Sequence, residues 1–306
     1  MPGHGNHWDA LCGIDRYMSE KIVRDIQESK PLDQYPCMDV ANGSDRAEDV
    51  TCLRWGNDRI AHDVLLVSDS SRGSRFLFSA YPNVLDGMHH VVELDHFTSW
   101  EYGIEAWAHG HVTAESVPIC FFDTRYYAGS ASYQPGQRLV VSLAGLAYFL
   151  RPIQVRSFEI KEGPLWEIQR QQRLEDGESE AEAARPVEIH MTGASLFLPR
   201  HEEEAQDEAQ FQGVIDAIDR FDFDGQSVYR LEMVVMCPGD EEFRLPVFVT
   251  EHVLDGYVPR LGEDVEGLLW LQGHIIGLAE SVVDQLDPQQ REPGTASCCT
   301  GGNLQA

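Results

Sequence analysis

The chain has 306 residues, of which 42% are hydrophobic and 24% charged, ordinary values for a globular protein of roughly two domains. The charge balance is not ordinary: 51 Asp and Glu against 23 Lys and Arg give a net −28, a surface that repels phosphate backbones and argues against nonspecific nucleic-acid binding. No apolar run reaches the roughly 18 residues of a membrane span, Met1 to Asp9 lack a secretory signal's basic and apolar regions, and the seven cysteines form no C-x-x-C pair, which together suit a reduced cytoplasmic setting.

Leu11, Ile14, Met18, Ile22 and Ile26 recur at helical spacing and predict an amphipathic helix that Lys30-Pro31 ends. His4 and His7, ahead of it, read as part of a loose segment. Residues 31–60 are polar, with Asn42-Gly43 and Gly56-Asn57 as turn signals. The texture then changes: Val64 to Val67, Arg75 to Tyr81 and Val91 to Phe97 are short β-branched or aromatic runs that predict strands. Gly103 to Thr113 alternates, placing Glu105, Trp107, His109 and His111 on one face and Ile104, Ala106, Ala108, Gly110 and Val112 on the other. Val117 to Phe122 is an apolar strand, Asp123 to Gly136 is rich in turn residues, and Leu139 to Leu150 fits strand or helix equally.

From Glu159 to Ala209 the chain carries 14 acids and 5 bases, a net of −9. With few apolar side chains to offset the entropy of ordering, residues 171–185 read as a mobile loop or linker, and Val187 to Leu198 as a strand or hairpin. Leu278, Val282 and Leu286 have helical spacing that Asp287-Pro288 ends, and 288–306 read as a disordered tail.

Two segments, roughly 92–150 and 211–277, share an order of features. Aligning Gly136 with Gly262 pairs Leu139 with Val265, Leu143 with Leu269 and Leu150 with Ile276, while Asp123-Thr124 matches Val249-Thr250. The expected fold is mainly β with a few short helices: an N-terminal helix and two repeated small β-barrel or Greek-key units of OB-like size. The expected division is a helical segment at 1–30, a first β domain at 31–160, an acidic linker with a possible hairpin at 161–210, a second β domain at 211–287 and the tail.

Few residues point to chemistry. His109 and His111 share a strand face, where two imidazoles suit a borderline metal, but no third ligand is fixed by spacing. Aligning Gly103 with Gly225 matches their face to Tyr229, Leu231 and Met233, which predicts two largely buried histidines. Asp222-x-Asp224-Gly225 imitates part of a calcium loop, but Arg220 and Leu231 occupy the positions that need acids, leaving an acidic turn. Nucleophile elbow, zinc-protease, Walker and dinucleotide motifs are missing, so neither a cofactor nor a catalytic residue is expected. The best binding candidate is the loop Asp123, Arg125, Tyr126 and Tyr127, which mixes a charge pair with two aromatics of the kind found at interface hot spots.

The expected function is a non-enzymatic acidic interaction protein that holds a protein partner with a basic surface, as adaptor, inhibitor or nucleic-acid mimic, without direct nucleic-acid or membrane binding. The rival readings are an enzyme with a dispersed, possibly metal-dependent site and a structural subunit of a larger assembly. Single-strand binding through Trp107, Trp270 and Tyr257 lacks the basic stripe it needs.

Overall fold

The computed structural model describes residues 4, 6–36, 49–69, 73–100, 103–112, 117–129, 132–200, 202, 205–239 and 241–279, so the helix expected at 278–286 and the tail at 288–306 lie essentially outside the described residues. A 3-10 turn, Asn6–Ala10, leads into helix α1 (Ile14–Arg16), a π-helical turn (Tyr17–Lys21) and α2 (Ile22–Glu28). The π turn breaks the expected stripe. Met18 is 47% and Ile26 38% exposed, while Tyr17, Lys21, Ile22 and Asp25 are buried. An extra residue in one turn rotates everything after it, so a 3.6-residue count carried across it points the wrong side chains inward. Buried Lys21 and half-buried Arg24 both reach Asp224, the acidic turn that imitated a calcium loop, where Asp224 sits at φ 50°.

Four strands, β1 (Lys30–Pro36), β2 (Asp49–Gly56), β3 (Ile60–Asp69) and β4 (Ser74–Val84), form an antiparallel sheet in that order. The described part of the polar stretch 31–60 is therefore largely sheet. Next come β5 (Met88–Ser99), β6 (Ala106–Val112), β7 (Val117–Asp123) and β8 (Arg138–Pro152), which settles Leu139 to Leu150 as strand.

The acidic stretch holds a two-stranded sheet, β9 (Ser157–Ile160) with β10 (Val187–His190), around helices α3 (Pro164–Glu175) and α4 (Glu180–Ala183). Residues 171–185, expected as a loop, are thus mostly helical. Pro164 at the first helical position and a capping box between Ser179 and Glu182 supply the start signals. Arg170 and Arg185 reach Glu180 and Glu178, and Arg173 donates to the carbonyls of Ala183 and Arg185, so cations tie this acidic hairpin together.

Strands β11 (Leu196–Pro199), β12 (Glu208–Phe223), β13 (Gln226–Met236), β14 (Phe243–Thr250) and β15 (Asp264–Leu278), with the short α5 (Glu251–Leu254), complete the described chain. Strands from the two segments expected as separate units lie in one nine-stranded sheet, ordered β11-β12-β13-β14-β8-β15-β7-β6-β5, with further β12–β15 and β8–β5 pairings. The ladders trace two closed circuits of five strands, β5-β6-β7-β15-β8 and β12-β13-β14-β8-β15, which share β8 and β15. Each circuit closes with a strand of the other segment, through the parallel pairs β7–β15 and β14–β8.

The turns before β8 and β15 dock alike. Gly136 and Gly262 adopt φ 81° and 76°, a left-handed conformation that favours glycine, and their N–H groups donate to the carbonyls of Leu94 and Ile215. One core fills the circuits, with Leu143, Leu231, Met233, Leu245, Val265 and Leu269 at its centre. A second core lies between the nine-stranded sheet, the four-stranded sheet and the segment 8–22, around Trp8, Tyr17, Val64, Phe122 and Trp270. Gln272 fastens the sheets together: its side chain accepts from Val84 N at 2.9 Å and donates to Pro82 O at 3.0 Å, taking the place of a strand along β4.

Candidate functional site

The loop after β7 turns inward. Asp123 Oδ1 accepts from Arg125 N at 3.0 Å, an Asx turn that bends the chain back onto the body. Tyr126 and Tyr127 are only 9% and 8% exposed: Tyr126 packs on Phe97, and Tyr127 enters the second core, where burial and then nearby Cys52 and Asp63 push its hydroxyl far up. Of the four candidate residues, Arg125 alone keeps partial solvent access.

Behind the loop lies a polar junction between the two sheets that sequence reading missed. Arg54 from β2 grips fully buried Asp63 of β3 through Nε and Nη2, at 2.7 and 2.6 Å, and Asn83 Nδ2 of β4 adds a third donor at 2.6 Å. Tyr81 Oη donates to Thr124 O at 3.0 Å, and Thr124 N donates to Gly273 O at 2.8 Å. Thr124 Oγ1 is buried without a hydrogen-bond partner among the described residues. Across the sheet His274 of β15 lies opposite Ser142 of β8, and Ser142 opposite His89 of β5. Burial first, then Arg125, Arg54 and His89, press His274 down to about 3, so it is neutral at pH 7. The Asp123-Arg125 cluster was an advance signal; the register joining three strands distant in sequence is not visible in the chain.

A second polar group sits under segment 4–12. His4 and His7, expected in a loose segment, are 2% and 5% exposed. His4 lies against Trp100, Phe122 and Tyr81, its Nε2 3.1 Å from Glu105 Oε1, and His7 stacks on Trp270 at 3.8 Å. Burial and then His4 hold His7 well below its ordinary value, so the ring is neutral at pH 7, with Nδ1 2.5 Å from the Tyr148 hydroxyl. That hydroxyl donates to Glu208 at 3.1 Å, which also takes Arg200 at 2.8 Å. Trp270 Nε1 donates to Asp207 at 2.6 Å, yet burial dominates and pushes this carboxyl up to about 6. The group can share protons within a closed interior, where His4 Nδ1 is left without a hydrogen-bond partner among the described residues.

The histidines of β6 are less buried than expected. Ala106, Ala108, Gly110 and Val112 point into the core, while His109 is half-buried and the His111 side chain 38% exposed. A one-residue slip in the alignment flips every side chain of a strand, and the match of Gly103 to Gly225 carries that slip. His96 stacks on His109 at 4.3 Å, Thr98 Oγ1 lies 3.0 Å from His109 Nε2, and His111 pairs with Asp95 at 3.0 Å. Among the described residues no group of three or more His, Cys, Asp and Glu side chains is placed to hold a metal ion.

On the outer surface an open groove of about 410 Å³ runs over β8, β15, β12 and β11. Phe149, Leu198 and Leu268 line it, with Phe149 38% and Leu198 49% exposed. Arg200 stands at its edge between Glu202 and Glu208, one cation against two carboxylates. No described helix is long and apolar enough to cross a membrane. Comparison of the chain with protein-family models, with curated proteins and with solved structures returns no match.

Proposed function

We propose that the protein is a non-enzymatic interaction protein, and that the groove over Phe149, Leu198 and Leu268 receives an apolar side chain of a partner whose surrounding surface is basic. The groove carries this reading: it pairs an exposed apolar floor with a net-negative rim on a chain of net charge −28. Apolar contact then supplies residence time and the charge supplies encounter rate. The test is capture from a native extract, at low and moderate salt, with the full chain and with Leu198→Ser. A basic protein held by the wild type, lost with L198S and associating more slowly in salt is expected. Capture indifferent to both L198S and salt, or tight DNA binding with a steep salt slope, would overturn the proposal.

The scaffold on which the groove lies is, in this reading, two copies of one four-strand unit, each an OB-like barrel completed by a strand of the other. Support comes from the register. The offset of 126 that aligns Gly136 with Gly262 sends the pair Leu271–Gly145 onto itself, Gln272–Ala144 onto Trp270–Leu146, and the parallel pair Phe248–Leu146 onto Gln272–Phe122. Both β5–β6 and β12–β13 also carry a bulge at an aspartate, Asp95 and Asp216.

A further inference from the structure

We propose that Thr124, His274, Ser142 and His89, side by side across β7, β15, β8 and β5, form a binding site for a small oxyanion, a carboxylate or phosphate group. Residues directly opposite on neighbouring strands share a face of the sheet, so the pairings His274–Ser142 and Ser142–His89 put two imidazoles around one hydroxyl. Thr124 continues β7 beside His274, its N–H already bonded to Gly273. A neutral imidazole offers one N–H and each hydroxyl one O–H; with neighbouring strands about 4.8 Å apart, an oxyanion seated at His274 meets the donors of Thr124, His274 and Ser142, and His89 stands one strand further out. His89 is exposed and His274 half-buried, which leaves the row open at one end.

Two further observations point to an acceptor. Thr124 Oγ1 is a buried hydroxyl with no partner among the described residues, a state that native interiors seldom leave unanswered. At the end of β14, Thr250 stands beside Tyr148 of β8 as Thr124 stands beside His274 of β15, and Thr250 Oγ1 donates to a carbonyl oxygen, Ala10 O, at 2.8 Å. An oxyanion would supply at Thr124 the acceptor that the main chain supplies at Thr250.

The local field has the right sign. The groups around His274 are Arg125 of the loop, Arg54 of β2 and His89 of β5, with Asp63 holding Arg54 and Asp123 at the loop's start. Burial lowers His274 most, and Arg125, Arg54 and His89 each lower it further, so the charged groups acting on it are cationic in a chain of net −28. A bound anion relieves that repulsion, so binding tightens as pH falls and His274 takes up a proton with the anion.

The experiment is histidine-ring NMR of the full chain during titration with inorganic phosphate and, separately, acetate, with sodium chloride holding ionic strength constant. Saturable shifts of the His89 and His274 rings, with His109 and His111 unmoved, are expected, and the tighter of the two salts identifies the class of anion. Ser142→Ala and His274→Leu each remove one donor and should weaken binding roughly tenfold. S142A is small enough to keep the fold if H274L does not. Shifts that do not saturate, shifts equal at all histidines, or unchanged affinity in a folded S142A would each overturn the site.

Discussion

Strands β7 and β14 end in the same way and are closed differently. Thr124 and Thr250 are both buried, each beside the long strand of the other segment. At Thr250 the chain's own segment 4–12 closes the end: Ala10 O takes the hydroxyl, His7 takes Tyr148, and Trp270 lies under His7. At Thr124 the four-stranded sheet closes it through Tyr81 and Gln272, and the hydroxyl is left over. One end is saturated by residues far away in sequence; the other keeps donors and positive charge. Equal backbone geometry thus leaves function to whatever packs over it.

The sharpest way to break the comparison is Trp270→Ala at the saturated end. It removes a fully buried indole and the donor to Asp207, and should cost about 3–5 kcal/mol in urea unfolding. Acid is the next lever. His274 and His90, held by burial at about 3 and about 4, and His7, also lowered, stay neutral when folded but take protons at about 6.5 when unfolded, so their stabilisation is complete above pH 6.5 and lost as pH falls below it. Asp207, raised to about 6, opposes them between 3.8 and 6, where the folded state holds the extra proton. With His89 and His109 also lowered, five histidines stand against one raised carboxyl, so unfolding near pH 5 takes up protons on balance, and H274Q should reduce that uptake by about one.

Smaller changes sharpen the contrast between the two threonines. Thr250→Val strands Ala10 O and should cost about 1–3 kcal/mol, whereas Thr124→Val, deleting a hydroxyl without a partner, should be neutral or slightly stabilising by thermal melting. A loss at Thr124 equal to that at Thr250 would mean the hydroxyl is already engaged. The smallest effect belongs to Ser179→Ala. Loss of the capping box costs roughly 1 kcal/mol, and hydrogen exchange should rise in α4 without changing in β13.

The chain announced much of this scaffold. Alternation and apolar runs located β6 and β7, and the match of Gly136 to Gly262 has the offset on which the β8–β15 register is centred. The failures have local causes. Charge density outweighed Pro164 and the Ser179–Glu182 box, although both helix signals stand in the sequence. The π turn rotated the face of a correctly placed helix. The candidate site was legible only at Asp123 and Arg125, because strand pairing set by the whole fold brings them to His274, Ser142 and Arg54. His4 and His7 gave no hint of burial, since short polar residues among glycines look the same whether or not a pocket awaits them.

The exchange of strands between the circuits bears on what a cut would do. Severing the chain within 161–186 leaves β5 to β8 on one piece and β12 to β15 on the other, and neither piece can close a circuit alone. The two remain joined through β8–β15, β14–β8 and β15–β7, so the nicked molecule becomes a non-covalent heterodimer whose melting temperature depends on its concentration. The acidic hairpin is then the tether that makes assembly of the two pieces intramolecular, and its presence sets how dilute the protein can be and still refold.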